Sequence, residues 1–154
     1  WSKTKIDNMG FKLKPSFPSK GQSKPNAYNK DNKSISDENG VEFTIIKIEL
    51  EDGIAGEANN DGTIFVDKNI PDNSIEEAEV VAHEGKHMED MDNGMLNYSD
   101  DWIEWKGNKY ERKDGKIKYK GKWVDEGDKN FPWEKRAYKA GDAAVKKLKE
   151  KYGK

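Results

Sequence analysis

An α+β domain with a mainly antiparallel sheet is the fold class that this sequence predicts, and three patterns predict it. Between residues 41 and 67, short runs of β-branched and aromatic residues are separated by turns rich in Asn, Asp and Gly, the signature of strands. Between residues 101 and 127 a second group of such runs is aromatic and basic, with frequent glycines. Two stretches, opening at Ser74 and Pro132, change the apolar period from about 2 to about 3.6 and read as helices.

At 154 residues the chain has the length of one domain. Its residues are 32% hydrophobic and 38% charged, so the core is small and much of the chain is loop or solvated face. Five Trp, six Tyr and five Phe argue against disorder along the whole length. With 28 basic and 30 acidic residues the net charge is −2, which favours neither a nucleic-acid nor a membrane partner. No apolar run approaches the ~18 residues of a membrane span. The absence of cysteine excludes disulfides, thiolate metal ligands and thiol catalysis, and leaves the compartment unread. A start at Trp1, without Met or a signal peptide, suggests a processed protein or a piece of a longer one.

Residues 1–40 are rich in Lys, Asn, Ser and Pro, and Pro15, Pro18 and Pro25 prevent a long helix. The segment reads as an extended arm whose Ile6, Met9, Phe11, Leu13 and Phe17 dock on a single domain of residues 41–154, with much of 21–40 in loop. Residues 41–50 are the clearest strand. Their apolar positions run Val41, Phe43, Ile45 and then shift parity to Ile46, Ile48, Leu50, as in a bulge or in a strand buried on both faces at its middle; either makes it central. Residues 54–58 and 63–67 form a hairpin about Asn59-Asn60-Asp61-Gly62.

Ser74-Ile75-Glu76-Glu77 is a capping box, Ile75, Ala78, Val81 and Ala82 make an apolar stripe, and Asn93-Gly94 ends the helix. In the β-rich insert of residues 101–127, Asp114-Gly115 is a two-residue turn that sets Tyr110 opposite Tyr119 and Glu111 opposite Lys118. Trp105-Lys106-Gly107 is echoed by Tyr119-Lys120-Gly121, which suggests a small meander. The last helix runs from Pro132 to about Tyr152, with Glu134, Tyr138, Gly141, Val145, Leu148 and Tyr152 as its buried stripe.

The first helix carries His83-Glu84-Gly85-Lys86-His87, with both histidines of the chain. Residues four apart share a helix face, so both imidazoles can reach one ion while Glu84, a residue further round, reaches water beside it. That is the arrangement of a zinc hydrolase: His83 and His87 as ligands, Glu84 as general base, and an ion that brings the pKa of water toward ~7. Such a set needs a further donor. Glu134 lies on the apolar stripe of the last helix, where a carboxylate must be paired or bind a metal. The alternative is that Glu134 closes a capping box begun at Phe131, leaving Asp90, Asp92 or Asp142 as the third ligand.

With His83-Glu84-x-x-His87 and a later helix opening Glu134-x-x-Ala137, the chain resembles the zincin metallopeptidases of the glutamate-ligand class. The resemblance implies a small zincin-like domain that binds Zn2+ through His83, His87 and Glu134, uses Glu84 to activate water, and hydrolyses a protein or peptide substrate. It also implies that the strand at residues 63–67 forms the sheet edge along which substrate lies. The short Lys- and Asn-rich chain further resembles metallopeptidase domains at the C-terminal ends of bacterial polymorphic toxins of the Rhs type. That likeness implies a secreted or delivered effector, with an inhibitor or immunity protein as partner, and a monomer is expected. Two departures stand out: Lys86 and Glu89 are charged where the zincin motif is usually uncharged or apolar, and Tyr138 stands where a thermolysin-like pattern has an acidic residue. Asp142 is then the candidate orienter of a histidine, and Tyr138, Arg136 and Tyr98 are candidate oxyanion donors, Tyr138 being taken with Glu84 as catalytic.

Two other functions compete. Trp102, Trp105, Tyr110, Tyr119 and Trp123 are interleaved with lysines, as in a single-strand nucleic-acid binder, although an aromatic core with a solvated lysine face accounts for the same pattern. A degenerate zincin kept as a non-catalytic zinc-binding module is the third, against which the intact Glu84 speaks.

Overall fold

The computed structural model describes residues 10–14, 33–36 and 40–152. Among them lie two long helices and two five-stranded sheets. The first sheet comprises β1 (Gly10–Lys14), β2 (Lys33–Ser36), β3 (Glu42–Ile48), β4 (Ile54–Asn59) and β5 (Thr63–Asp67), in the order β1-β4-β5-β3-β2. The β1–β4 and β3–β5 pairings are parallel, while β4–β5 and β2–β3 are antiparallel. Two stretches of the expected arm are thus strands of the sheet, and Lys33–Ser36 is not loop. Ile6, Met9 and Phe17 lie outside the described residues.

Ile45 and Ile46 are neighbours in β3, face opposite ways and are only 6% and 4% exposed. The parity shift therefore reflects burial on both faces. Residues 63–67 are not a sheet edge. As β5 they form the middle strand, bonded to β4 on one side and β3 on the other. The physical reason is in the residues: Ile64-Phe65-Val66 is a continuous apolar run, which suits a strand covered on both faces, whereas an edge strand carries charges or breaks.

The helix α1 (Ile75–Asp92) begins as expected, with Ser74 Oγ accepting from the Glu77 amide at 3.1 Å. The return bond differs: Glu77 Oε1 accepts from the Asn73 amide at 3.1 Å, while Oε2 pairs with Lys47 Nζ at 3.0 Å. The expected apolar stripe is not the buried face either. Ile75, Ala78, Val81 and Ala82 are half-buried, and the most buried positions include Glu79, His83, Glu84, His87 and Asp90. The cause is that α1 is enclosed on two sides, by the first sheet and by α2 (Pro132–Lys151). Polar residues face both neighbours and bury against them.

The second sheet is an antiparallel meander of β6 (Leu96–Tyr98), β7 (Trp102–Trp105), β8 (Asn108–Lys113), β9 (Lys116–Tyr119) and β10 (Lys122–Asp125). Three of its turns are Lys106-Gly107, Asp114-Gly115 and Lys120-Gly121, each with two successive positive φ angles. That is the geometry whose twist matches the flanking strands, so the echoed Lys-Gly pairs are both hairpin turns. Arg112 faces Ile117 in the expected register, and the Tyr110 and Tyr119 rings lie 5.2 Å apart. Trp105, Ile117 and Tyr119 turn inward onto Phe131 and Trp133, which stack at 4.8 Å. Of the rings considered for base stacking, Trp105 is thus in the core and Tyr110 and Tyr119 pack against that core, while Trp102 is half-buried and Trp123 exposed. The buried stripe of α2 stops at Leu148, because Tyr152 is 66% exposed. No helix among the described residues is long and apolar enough to cross a membrane.

Candidate metal centre

Helices α1 and α2 run antiparallel, with Glu79 against Gly141 at one point and His87 against Glu134 further along. They approach closely because Gly141 has no side chain: a Cβ there would lie 3.2 Å from the Glu79 carbonyl oxygen and 3.3 Å from its Cγ. His83 and His87, one turn apart on α1, both face α2. Glu134 meets them from the first turn of α2, its Oε1 3.0 Å from His83 Nε2 and 3.3 Å from His87 Nε2, and its Oε2 3.2 Å from His87 Nε2. The helix begins at Phe131 with no side-chain cap, so the Glu134 carboxylate serves the histidines and not a capping box.

These three residues lie close enough to hold a metal ion, with one donor atom from each within 4.8 Å of the others. A tetrahedral ion with donors at about 2.0–2.1 Å would space them roughly 3.3–3.4 Å apart. The separations of 3.0 to 3.3 Å between Glu134 and the imidazoles are near that value. Two imidazoles and a carboxylate are also a donor set that zinc accepts, with a fourth position left open.

Glu84 projects from α1 toward the sheet. It lies beneath Gly56 of β4, where an added Cβ would be 3.1 Å from Glu84 Cγ, 3.3 Å from Glu84 Oε2 and 2.6 Å from Val80 Cγ1. Only a glycine lets β4 come this close. His83, Glu84, His87 and Glu134 are between 0% and 2% exposed. Burial lowers the pKa of His83 to about 4, against the opposing pull of Glu134, and keeps the ring neutral. Burial by itself would raise Glu134, but the charge of His87 and the hydrogen bonds of both imidazoles outweigh it and draw the carboxyl down to about 2. Glu84 is raised well above the usual range, by burial first and then by the charges of Glu134 and Glu57. At neutral pH the three donors thus include an anion and a neutral imidazole, the forms that a cation takes.

The remaining candidates are placed elsewhere or already engaged. Tyr138 sets its ring against His83, and its hydroxyl donates to the Gly127 carbonyl at 3.2 Å. The Tyr98 hydroxyl donates to the Ala58 carbonyl and accepts from the Asn60 amide, tying the meander to the end of β4. Arg136 donates to Asp90. Asp142 is exposed on α2, and its charge is a minor influence on His83. Asp92 is exposed at the end of α1. Sequence reasoning missed Glu57, which is 3% exposed in β4. A glutamate in a strand reads as a solvated residue, and nothing local signals otherwise. Gly56 was equally silent, since its close approach exists only once the helix has docked.

No family model, no curated protein and no solved structure matches this chain.

Proposed function

We propose that this chain is a zinc-dependent hydrolase of the zincin kind, acting on peptide bonds. The observation that carries the proposal is the convergence of His83 Nε2 and His87 Nε2 on the Glu134 carboxylate, at 3.0 to 3.3 Å, with Glu84 buried one residue from a ligand. Bound among these donors, Zn2+ would supply Lewis acidity and bring the pKa of water toward ~7. The chain's own residues supply the rest. Glu134 offers a negative donor, and the neutral His83 ring offers a lone pair. Glu84, buried beneath Gly56, holds a proton more tightly than an exposed glutamate. That suits it to take a proton from the attacking water and deliver it to the leaving amine. The choice of a polypeptide substrate rests on the resemblance carried by the motif and by the helical glutamate.

A second reading is a closed, non-catalytic zinc module, favoured by the burial of all four groups. One experiment separates the two. Zinc content is measured on the purified wild type and on Glu84→Gln, and each is assayed on a library of quenched fluorescent peptides. The peptidase reading expects zinc in both and cleavage in the wild type alone. Zinc in both with cleavage in neither supports the closed module, and a wild type that takes up no zinc refutes both.

A further inference from the structure

Beyond the three donors, the two helices that carry them are joined at a second point by an ion pair whose carboxylate is buried. Asp90, one turn past His87 on α1, is 0% exposed. Arg136, two residues past Glu134 on α2, grips it with both arms of the guanidinium: Nε donates to Oδ2 at 3.0 Å and Nη2 to Oδ1 at 2.9 Å. Behind the guanidinium, 5.9 Å away, is the ring of Trp105, which in turn packs on Trp133 in the first turn of α2.

We infer that the Asp90–Arg136 pair is a positioning device for the metal centre, holding Glu134 at the depth and angle where both imidazoles reach it. The inference rests on the metal-centre reading above. Its basis is a two-point attachment. The helices pack along their length and touch closely at Glu79 and Gly141, and even a small pivot about that contact would move the donors. Glu134 is seven residues from Gly141, or about 10 Å along the helix, so a rotation of only about 5° would carry it roughly 0.9 Å. A metal site tolerates about 0.2 Å. Asp90 lies beyond both histidines on α1, and Arg136 lies two residues from Glu134 on its Gly141 side, so the pair attaches the helices beside the donors, away from that pivot, and a bidentate pair fixes direction as well as distance. Because a buried carboxylate without its partner is strongly unfavourable, the clasp is closed whenever the protein is folded. Asp90 and Arg136 therefore act through Glu134 and not on substrate.

The test uses the full chain with zinc and, separately, Co2+ as probes. Zinc affinity is measured by chelator competition, coordination geometry by the visible absorption of the Co2+ form, and folding by circular dichroism and by the melting temperature without metal. Arg136→Lys keeps the charge but cannot make the double bond, and Asp90→Asn keeps the shape. Both are expected to bind zinc roughly tenfold or more weakly while still folded, and to change the Co2+ spectrum. Glu89→Gln, which removes a negative charge next to Asp90, controls for electrostatics alone and is expected to leave both readouts unchanged. If Asp90→Asn does not fold, Arg136→Lys decides, because Arg136 is 38% exposed and its replacement disturbs less. Wild-type zinc affinity and Co2+ spectrum in folded Arg136→Lys, with only a lower melting temperature, would overturn the inference and leave the metal centre standing. A wild type that binds neither ion would overturn the metal centre itself, and this role with it.

Discussion

The ring of Tyr138 stands edge-on against the imidazole of His83, with centroids 4.5 Å apart and planes at 86°. Its hydroxyl is turned to the Gly127 carbonyl, so ring and hydroxyl have separate tasks. Tyr138→Phe keeps the ring and is expected to retain zinc affinity, lose about 0.5–1.5 kcal/mol of stability and stay within about tenfold of wild-type cleavage. A fall in kcat of about 10²–10³ would instead identify the hydroxyl as a transition-state donor, as the sequence suggested.

Removing a donor tests the centre directly. Glu134→Ala leaves two imidazoles facing an uncharged gap, and zinc affinity should drop by orders of magnitude. Zinc at 100 times its Kd should stabilise the wild type by about 2.7 kcal/mol and the variant hardly at all. Thermal melts with and without a chelator make the comparison, and equal shifts for the two proteins would remove Glu134 from the site.

Glu84→Gln preserves volume but cannot accept a proton. Cleavage should be lost with zinc retained. The metal-free variant should also be more stable than the wild type at neutral pH, because it relieves the burial of a carboxylate whose pKa burial has raised. Denaturant midpoints of the two metal-free proteins at pH 7 measure this; a less stable variant would count against it.

At Gly56 an alanine Cβ would meet Val80 Cγ1 at 2.6 Å, inside any permitted contact. Gly56→Ala should therefore push α1 from β4 and reduce stability by about 1–3 kcal/mol. Adding Val80→Ala opens the space again, and the double variant should be less destabilised than the sum of the two singles. Additive losses in a double-mutant cycle would mean that the clash is relieved elsewhere.

Acid has opposing effects on the metal-free protein. His83, held at about 4 when folded against ~6.5 unfolded, makes folding less favourable as pH falls through that interval, because the unfolded chain takes the proton first. Glu134, at about 2 when folded, works in the same direction below ~4.3. Glu84 works oppositely, since its raised folded pKa makes stability greatest below ~4.3 and diminishes it as pH rises. Glu84→Gln protein should thus lose stability steadily from pH 7 downward, with the wild type flatter between ~4.3 and ~6.5. Urea denaturation across this range would show it, and a variant whose stability is flat between pH 6.5 and 4 would contradict a buried neutral His83.

Local patterns in the sequence were read well because their causes are local. Ser74 caps its helix, and Asp114-Gly115 turns its hairpin in the register that Tyr110 and Tyr119 require. His83 and His87 share a face because helical periodicity puts them there. Glu134 was reached only by asking what a carboxylate does on an apolar stripe, and the contest with a capping box needed coordinates to resolve. The burial of α1 was misread for a related reason: an amphipathic stripe locates one partner, and this helix has two. No residue in 63–67 states which strands will flank it, although its unbroken Ile64-Phe65-Val66 run was at odds with an edge.

The meander separates α1 from α2 in sequence, and its strands pair with their immediate neighbours, three of the four connections being two-residue turns. Such contacts close short loops and form with little entropic penalty. Until they form, His83 and Glu134 are the ends of a long wandering segment; afterwards Phe131 and Trp133, packed on the finished sheet, deliver α2 to α1. Assembly of the donors is then expected late in folding. Zinc present from the start of refolding should leave the refolding rate unchanged and slow unfolding, as expected for contacts absent from the transition state. In kinetic terms the ion would be a lock on the completed chain, and its loss would be read in the lifetime of the folded protein.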